Sequence, residues 1–127
     1  MRGIDFLWVG LGGGLGSLLR WQAGKLIGQR FALPSWAGSL VVNVTGAFAI
    51  AYISTLLVMG WEDRHGNLVA SFVLTGIIGG YTTFSTMQLD AVEMAAERLS
   101  ILPLAYLLGS AAAGLFAAAA GVLLARW

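Results

Sequence analysis

The run Gly79-Gly80-Tyr81-Thr82-Thr83-Phe84-Ser85-Thr86 sets a glycine pair and a cluster of hydroxyl side chains inside a stretch that is otherwise apolar from Leu68 onward. The chemistry on offer is ion coordination. A helix that ends inside a membrane frees carbonyl oxygens for a cation, and one that begins there frees N–H groups and a positive dipole end for an anion. Lipid satisfies neither, so such a break is tolerated where it faces a polar cavity or an ion. A plain glycine kink is the other reading, but a kink has no use for the hydroxyls.

Other polar side chains recur at helical spacing. Ser39 and Asn43 are four apart, as are Tyr106 and Ser110, while Phe84 and Met87 are three apart, so each pair shares a helix face. A buried amide is expensive in hydrocarbon and can offer two donors to an anion, which marks Asn43. Ser39 and Ser110 fit helix-packing hydrogen bonds as well as a pore. Asp90, Glu93 and Glu97 form one stripe toward the membrane surface. Asp90 either lines a pathway or pairs with Arg98 or Arg20; Glu97 is read as solvated. Arg20, well inside a span, either snorkels past Trp21 or draws anions into a vestibule.

Several chemistries are excluded. There is no Cys, hence no disulfide, thiolate nucleophile or thiolate-bound metal. The lone His65 sits among Glu62, Asp63 and Arg64 with no nucleophile in register, so the chain does not read as an enzyme. The glycines lack the dinucleotide offset, which argues against a nucleotide. A net charge of +1 offers no basic face to nucleic acid. Asn43-Val44-Thr45 matches a glycosylation sequon but lies at membrane depth.

The elements that position these residues are membrane helices. Of 127 residues, 58% are hydrophobic and 10% charged, and the mean hydropathy is +0.83, whereas soluble domains carry roughly 25% charged residues. Spans need roughly 20 apolar residues, and the pattern predicts a single transmembrane domain over 1–127, all-α, with four spans at about 4–27, 36–59, 67–96 and 101–124, the third broken near its middle. The first apolar stretch exceeds the roughly 7–15 residues of a cleaved signal segment. The connection 60–66 is charged and must be wet, 29–35 holds Pro34, and Pro103 fits the first turn of the last span. Both chain ends fall on one side. Loop cations nearly balance, with Arg2, Arg64 and Arg126 opposite Lys25, Arg30 and Arg98, so the positive-inside rule has little to act on and insertion in both orientations is expected. Gly10/Gly14, Gly12/Gly16, Gly24/Gly28 and Ser110/Gly114 are small-residue pairs spaced by four, suited to close packing within the protomer or across a dimer.

The hydroxyl run, the segment Gly38-Ser39-Leu40-Val41-Val42-Asn43 and the glycine-rich first span ending in Leu19-Arg20-Trp21 resemble the small fluoride channels called Fluc or CrcB, over essentially the whole chain. The resemblance implies an antiparallel dual-topology homodimer in the lipid bilayer of a bacterial inner membrane, multi-pass, with two pores that export fluoride passively and so relieve its toxicity. It implies a structural sodium ion (Na+) at the dimer centre, held by backbone carbonyls of Gly79 and Thr82. The pore would be lined by Asn43, Phe84, Ser39, Tyr106 and Ser110, with Thr83 of the hydroxyl cluster beside them and Arg20 in the vestibule. This chain departs from the family pattern at Met87, where a second phenylalanine is usual, at Asp90 in place of Glu, and at Gly114 in place of a hydroxyl. Met87 keeps its place in the pore and Asp90 its place in the vestibule on this reading. The rival is a four-span multidrug-type exporter, which needs a carboxylate within its first span; here Asp5 lies only at the edge.

Overall fold

The computed structural model describes residues 3–57, 68–97 and 100–127. These fold into α1 (Gly3–Phe31), α2 (Ser35–Leu56), α3 (Val69–Ile78), a single turn α4 (Gly79–Tyr81), α5 (Phe84–Glu97) and α6 (Leu102–Ala125). Arg2, the wet connection 60–66 with Arg64 and His65, and Arg98 lie outside the described residues, so the expected charge balance is placed only in part. α1 ends at Phe31, and the φ of 50° at Ala32 turns the chain into the short connection that Pro34 closes by capping α2 in an extended conformation. Pro103 occupies the first turn of α6.

Ser35–Leu56, Val69–Glu97 and Leu102–Ala125 are long and apolar enough to cross a membrane. α1, at 29 residues, is as long as the longest of these, but glycines, Arg20 and Lys25 dilute its apolar character. The molecule is apolar on the outside. Phe6, Leu7, Leu115 and Phe116 are exposed, while the interior holds glycines and small polar residues such as Gly12, Gly16, Ser39 and Ser71. Lipid supplies no hydrophobic drive between helices, so close backbone approach and internal hydrogen bonds must hold them.

α3 is wound with the wide π-type turn, and α1 packs chiefly along α3 and α4. Of the paired glycines in α1, Gly12 and Gly16 serve this contact. A Cβ at Gly12 would overlap the Phe72 carbonyl and sit 2.9 Å from the Gly76 Cα, and one at Gly16 would overlap the Ile77 carbonyl and sit 2.8 Å from the Tyr81 nitrogen. Gly10 and Gly14 face open space, so the same spacing has two different uses. Gly16→Ala should therefore destabilise the protein by about 1–3 kcal/mol, the usual range for overpacking, while Gly14→Ala leaves it unchanged; thermal unfolding in detergent reads both.

The broken span changes partners at its break. α3 and α4 lie against α1, whereas α5 lies against α6 and α2. Thr82 is extended (φ −76°, ψ 151°), and its N–H and its hydroxyl both bond to the Ile78 carbonyl, at 3.0 Å and 3.1 Å. The chain thus stops one helix and redirects before starting the next. α2 and α6 pack along each other and bring Asn43 and Ser110 to the level of this break.

Candidate ion pathway

The break is built around Asn43. Its Nδ2 donates to the Thr83 carbonyl at 2.9 Å, and its Oδ1 accepts from the Thr83 N–H at 2.8 Å. The side-chain amide thereby substitutes for the peptide partner that Thr83 loses where the helix is interrupted, and the two bonds fix which way the amide points. This engages one donor; the second Nδ2 hydrogen is outside the pair. Thr83 also caps α5: its Oγ1 accepts from the Thr86 N–H at 3.2 Å and donates to the Thr86 Oγ1 at 3.0 Å, with Ser85 Oγ 3.4 Å away. A threonine three residues before its N–H partner is a readable N-cap spacing, so sequence reasoning could have assigned Thr83 this role.

Two adjoining spaces meet at Thr83. One, of about 460 Å³, is lined by Asn43, Thr83, Phe84, Met87 and Ser110, along with Gly79 and Thr82 from the break. The other, of about 350 Å³, is lined by Arg20, Lys25, Ser35, Ser39, Thr83 and Thr86. Arg20 is thus placed at a cavity that also holds Ser39. Lys25, which counts from sequence only in the loop charge balance, joins it there, its Nζ 5.1 Å from the Trp21 ring centroid, within the range of a cation–π contact. One cavity thus holds two cations and several hydroxyls, and the other the Asn43 amide, all of them groups that can donate to an anion.

Phe84 and Met87 line the same groove but differ in setting. Phe84 is 67% exposed and Met87 only 9%, because Met87 also packs with Ala91, Met94 and Tyr106. Ser110 is buried in the groove wall, and its Oγ makes no hydrogen bond of good geometry, the Tyr106 hydroxyl being its polar company. Tyr106 and Ser110 line a further space of about 320 Å³ beside Trp36 and Met94, so Tyr106 stands behind the groove wall.

Asp90 is buried and accepts from Ser35 Oγ and Tyr106 Oη, each at 3.4 Å. Its oxygens are thus engaged by neutral donors, which ties α5 to the starts of α2 and α6. Asp5 lies at the edge of the first span as expected, in the first turn of α1, and is buried there, where the Ser71 hydroxyl donates to it at 3.4 Å. It lines neither of the two cavities that meet at Thr83. A separation of 66 positions between Asp5 and Ser71 leaves no pairing signal in the sequence.

Among the described residues no group of three or more His, Asp or Glu side chains could hold a metal ion. The break nevertheless has the donors a hard monovalent cation takes, namely oxygens. The Ile78 carbonyl is committed twice, whereas the Gly79 carbonyl has only a long 3.5 Å contact from the Thr82 hydroxyl and lies at the protomer surface. The Gly79 carbonyl is thus an oxygen that a cation at the break could take.

The family model for "CrcB-like protein, Camphor Resistance (CrcB)" matches residues 7–122. A protein of Yersinia pseudotuberculosis named fluoride-specific ion channel FluC 2 is 50% identical over 125 residues, covering 98% of this chain and 99% of its own. One of the same name from Brucella suis is 46% identical over 126 residues, covering 99% and 98%, and the fluoride-specific ion channel FluC of Helicobacter pylori strain Shi470 is 37% identical over 123, covering 95% and 92%. With a break capped by Thr83, an amide across it and cations at the mouth, this multi-pass membrane protein belongs to the CrcB-like family, among relatives named fluoride-specific ion channels.

Proposed function

We infer that the protein is a fluoride-selective channel that lets the anion leave the cytoplasm passively, and not an enzyme. The observation that carries this is the full-length match to relatives named fluoride-specific ion channels. The exporter alternative has no support from those matches, and the one carboxylate of the first span is held by Ser71. Fluoride is small and strongly hydrated, so a pore must replace its water with donors. The groove supplies the second amide hydrogen of Asn43, the Ser110 hydroxyl and the positive ring edge of Phe84. In liposomes holding the purified protein, fluoride should leave fast and chloride should stay, both read with ion-selective electrodes. Equal loss of the two ions would sink the selectivity.

The functional unit we propose is an antiparallel dual-topology homodimer, with the groove closed by a second copy. Its support is the openness of the break: Phe84 and Gly79 are exposed on the single chain. Sodium at the two-fold axis would take the carbonyls of Gly79 and Thr82 from each copy and neutralise the converging dipole ends of the broken helices. Dual insertion has its own test. Ser100 is exposed and the chain has no cysteine, so Ser100→Cys in oriented membranes should react with an impermeant maleimide from both sides. Labelling from one side alone refutes it.

A further inference from the structure

Tyr81 stands between the two carbonyls proposed for the cation and is pinned at three points. Its backbone nitrogen lies against Gly16 of α1, where a Cβ would come within 2.8 Å, and its ring lies over Gly46 of α2, where a Cβ would come within 3.5 Å of Cδ1 and overlap the Thr82 methyl. The third point is polar. Tyr81 Oη and Thr45 Oγ1 are 3.1 Å apart, and Thr45 Oγ1 is 2.7 Å from the Val41 carbonyl. Thr45 has one hydroxyl proton, and the shorter contact to Val41 takes it, so Tyr81 is the donor to Thr45. The tyrosine thus hangs from the backbone of α2 through a relay that fixes its hydroxyl end.

We propose that Thr45 and Tyr81 form a latch whose role is to position the Gly79 and Thr82 carbonyls for a sodium-sized cation, Tyr81 acting through the backbone and not as a ligand. The proposal rests on the reading of the break as a cation site. In the snug-fit account, discrimination between cations by carbonyls follows from how firmly their spacing is held, and partners behind a ligand commonly set its orientation. The glycine contacts fix where Tyr81 sits. The hydroxyl relay fixes its tilt, and with it the plane of the peptide that carries the chain from α4 into the extended Thr82. With the relay removed, the ring still fills its seat over Gly46, but the carbonyls gain freedom to open toward a larger ion.

Tyr81→Phe and Thr45→Val remove the relay while keeping shape, and Thr45→Ser keeps it. The readout is the cation concentration at which the detergent-purified full chain is half-protected against thermal unfolding, followed by tryptophan fluorescence, with sodium, with potassium and with choline as the inert control. One neutral hydrogen bond corresponds to about a threefold to tenfold change. Tyr81→Phe and Thr45→Val should raise the sodium midpoint by about that factor, narrow the gap between sodium and potassium, and leave unfolding in choline near the parent's; Thr45→Ser should behave as the parent. Sodium midpoints within twofold of the parent overturn the latch, as does an equal fall in stability in all three salts, which would make the relay merely structural. A parent that gains no protection from sodium overturns the cation site itself, and the latch with it.

Discussion

Asn43→Asp should reduce fluoride efflux by about a thousandfold, with the protein still purified as a folded species. The substitution is nearly isosteric, yet it fails twice. A carboxylate can accept from the Thr83 N–H as Asn43 Oδ1 does at 2.8 Å, but it cannot donate to the Thr83 carbonyl that Asn43 Nδ2 reaches at 2.9 Å. Two acceptor oxygens would then face each other at the start of α5, a buried mismatch of about 1–3 kcal/mol. The larger effect falls on the anion. A negative charge placed ~4 Å from fluoride at an effective dielectric of ~20 raises its energy by about 4 kcal/mol, and each 1.4 kcal/mol is about tenfold in rate. Initial efflux from liposomes at equal protein load is the measurement, with elution volume and circular dichroism confirming the fold. Efflux within tenfold of the parent would mean that fluoride does not pass Asn43.

The residue pattern makes Asn43 visible as an expensive amide at membrane depth, but not what it holds. Thr83 is 40 positions away, and only the crossing of α2 over the break brings the two together. Local signals were legible: the Gly-Gly step and the hydroxyl run mark the break, and the helical spacings mark which polar residues share a face. Contacts between spans were not. Gly12/Gly16 and Gly10/Gly14 are indistinguishable as spacings, and the difference lies in which face of α1 meets α3. The same blindness hid the burial of Asp5 against Ser71, because period and hydropathy describe a helix's own faces and say nothing about its neighbour. Lys25 reads from sequence only as one of the loop cations, because its share in the cavity with Arg20 depends on how α1 leans on α2.

That distinction between what a helix face carries and what it meets also explains Asp90. On its own element it belongs to an acidic stripe running to the surface. In the fold it turns inward to Ser35 and Tyr106, two residues at the beginnings of other helices. Since Tyr106 packs beside Met87, the carboxylate fixes the ring that backs the groove wall at the position where this chain carries methionine.

Phe84→Ile should cut fluoride efflux by about tenfold or more, whereas Met87→Phe should leave it within about threefold of the parent. Both side chains line the groove next to Asn43, and what an aromatic ring offers an anion there is its positive edge. Isoleucine fills space with neutral methyls and removes that edge. Methionine is different, because the carbons flanking its polarizable sulfur carry weakly positive hydrogens, so at position 87 it can perform in part what a ring performs. Replacing it with phenylalanine therefore exchanges one weak donor for another. The burial of Met87 among Ala91, Met94 and Tyr106 sets the penalty: a larger side chain in a packed site costs about 1–3 kcal/mol, lowered to the extent that the ring can swing into the groove. Met87→Phe should thus lose thermal stability while keeping flux, and Phe84→Ile, being 67% exposed on the single chain, should lose flux while the isolated protomer keeps its stability. Efflux rates and melting temperatures measured on the same preparations separate the two effects. If Phe84→Ile conducts like the parent, the anion does not run along this face of α5.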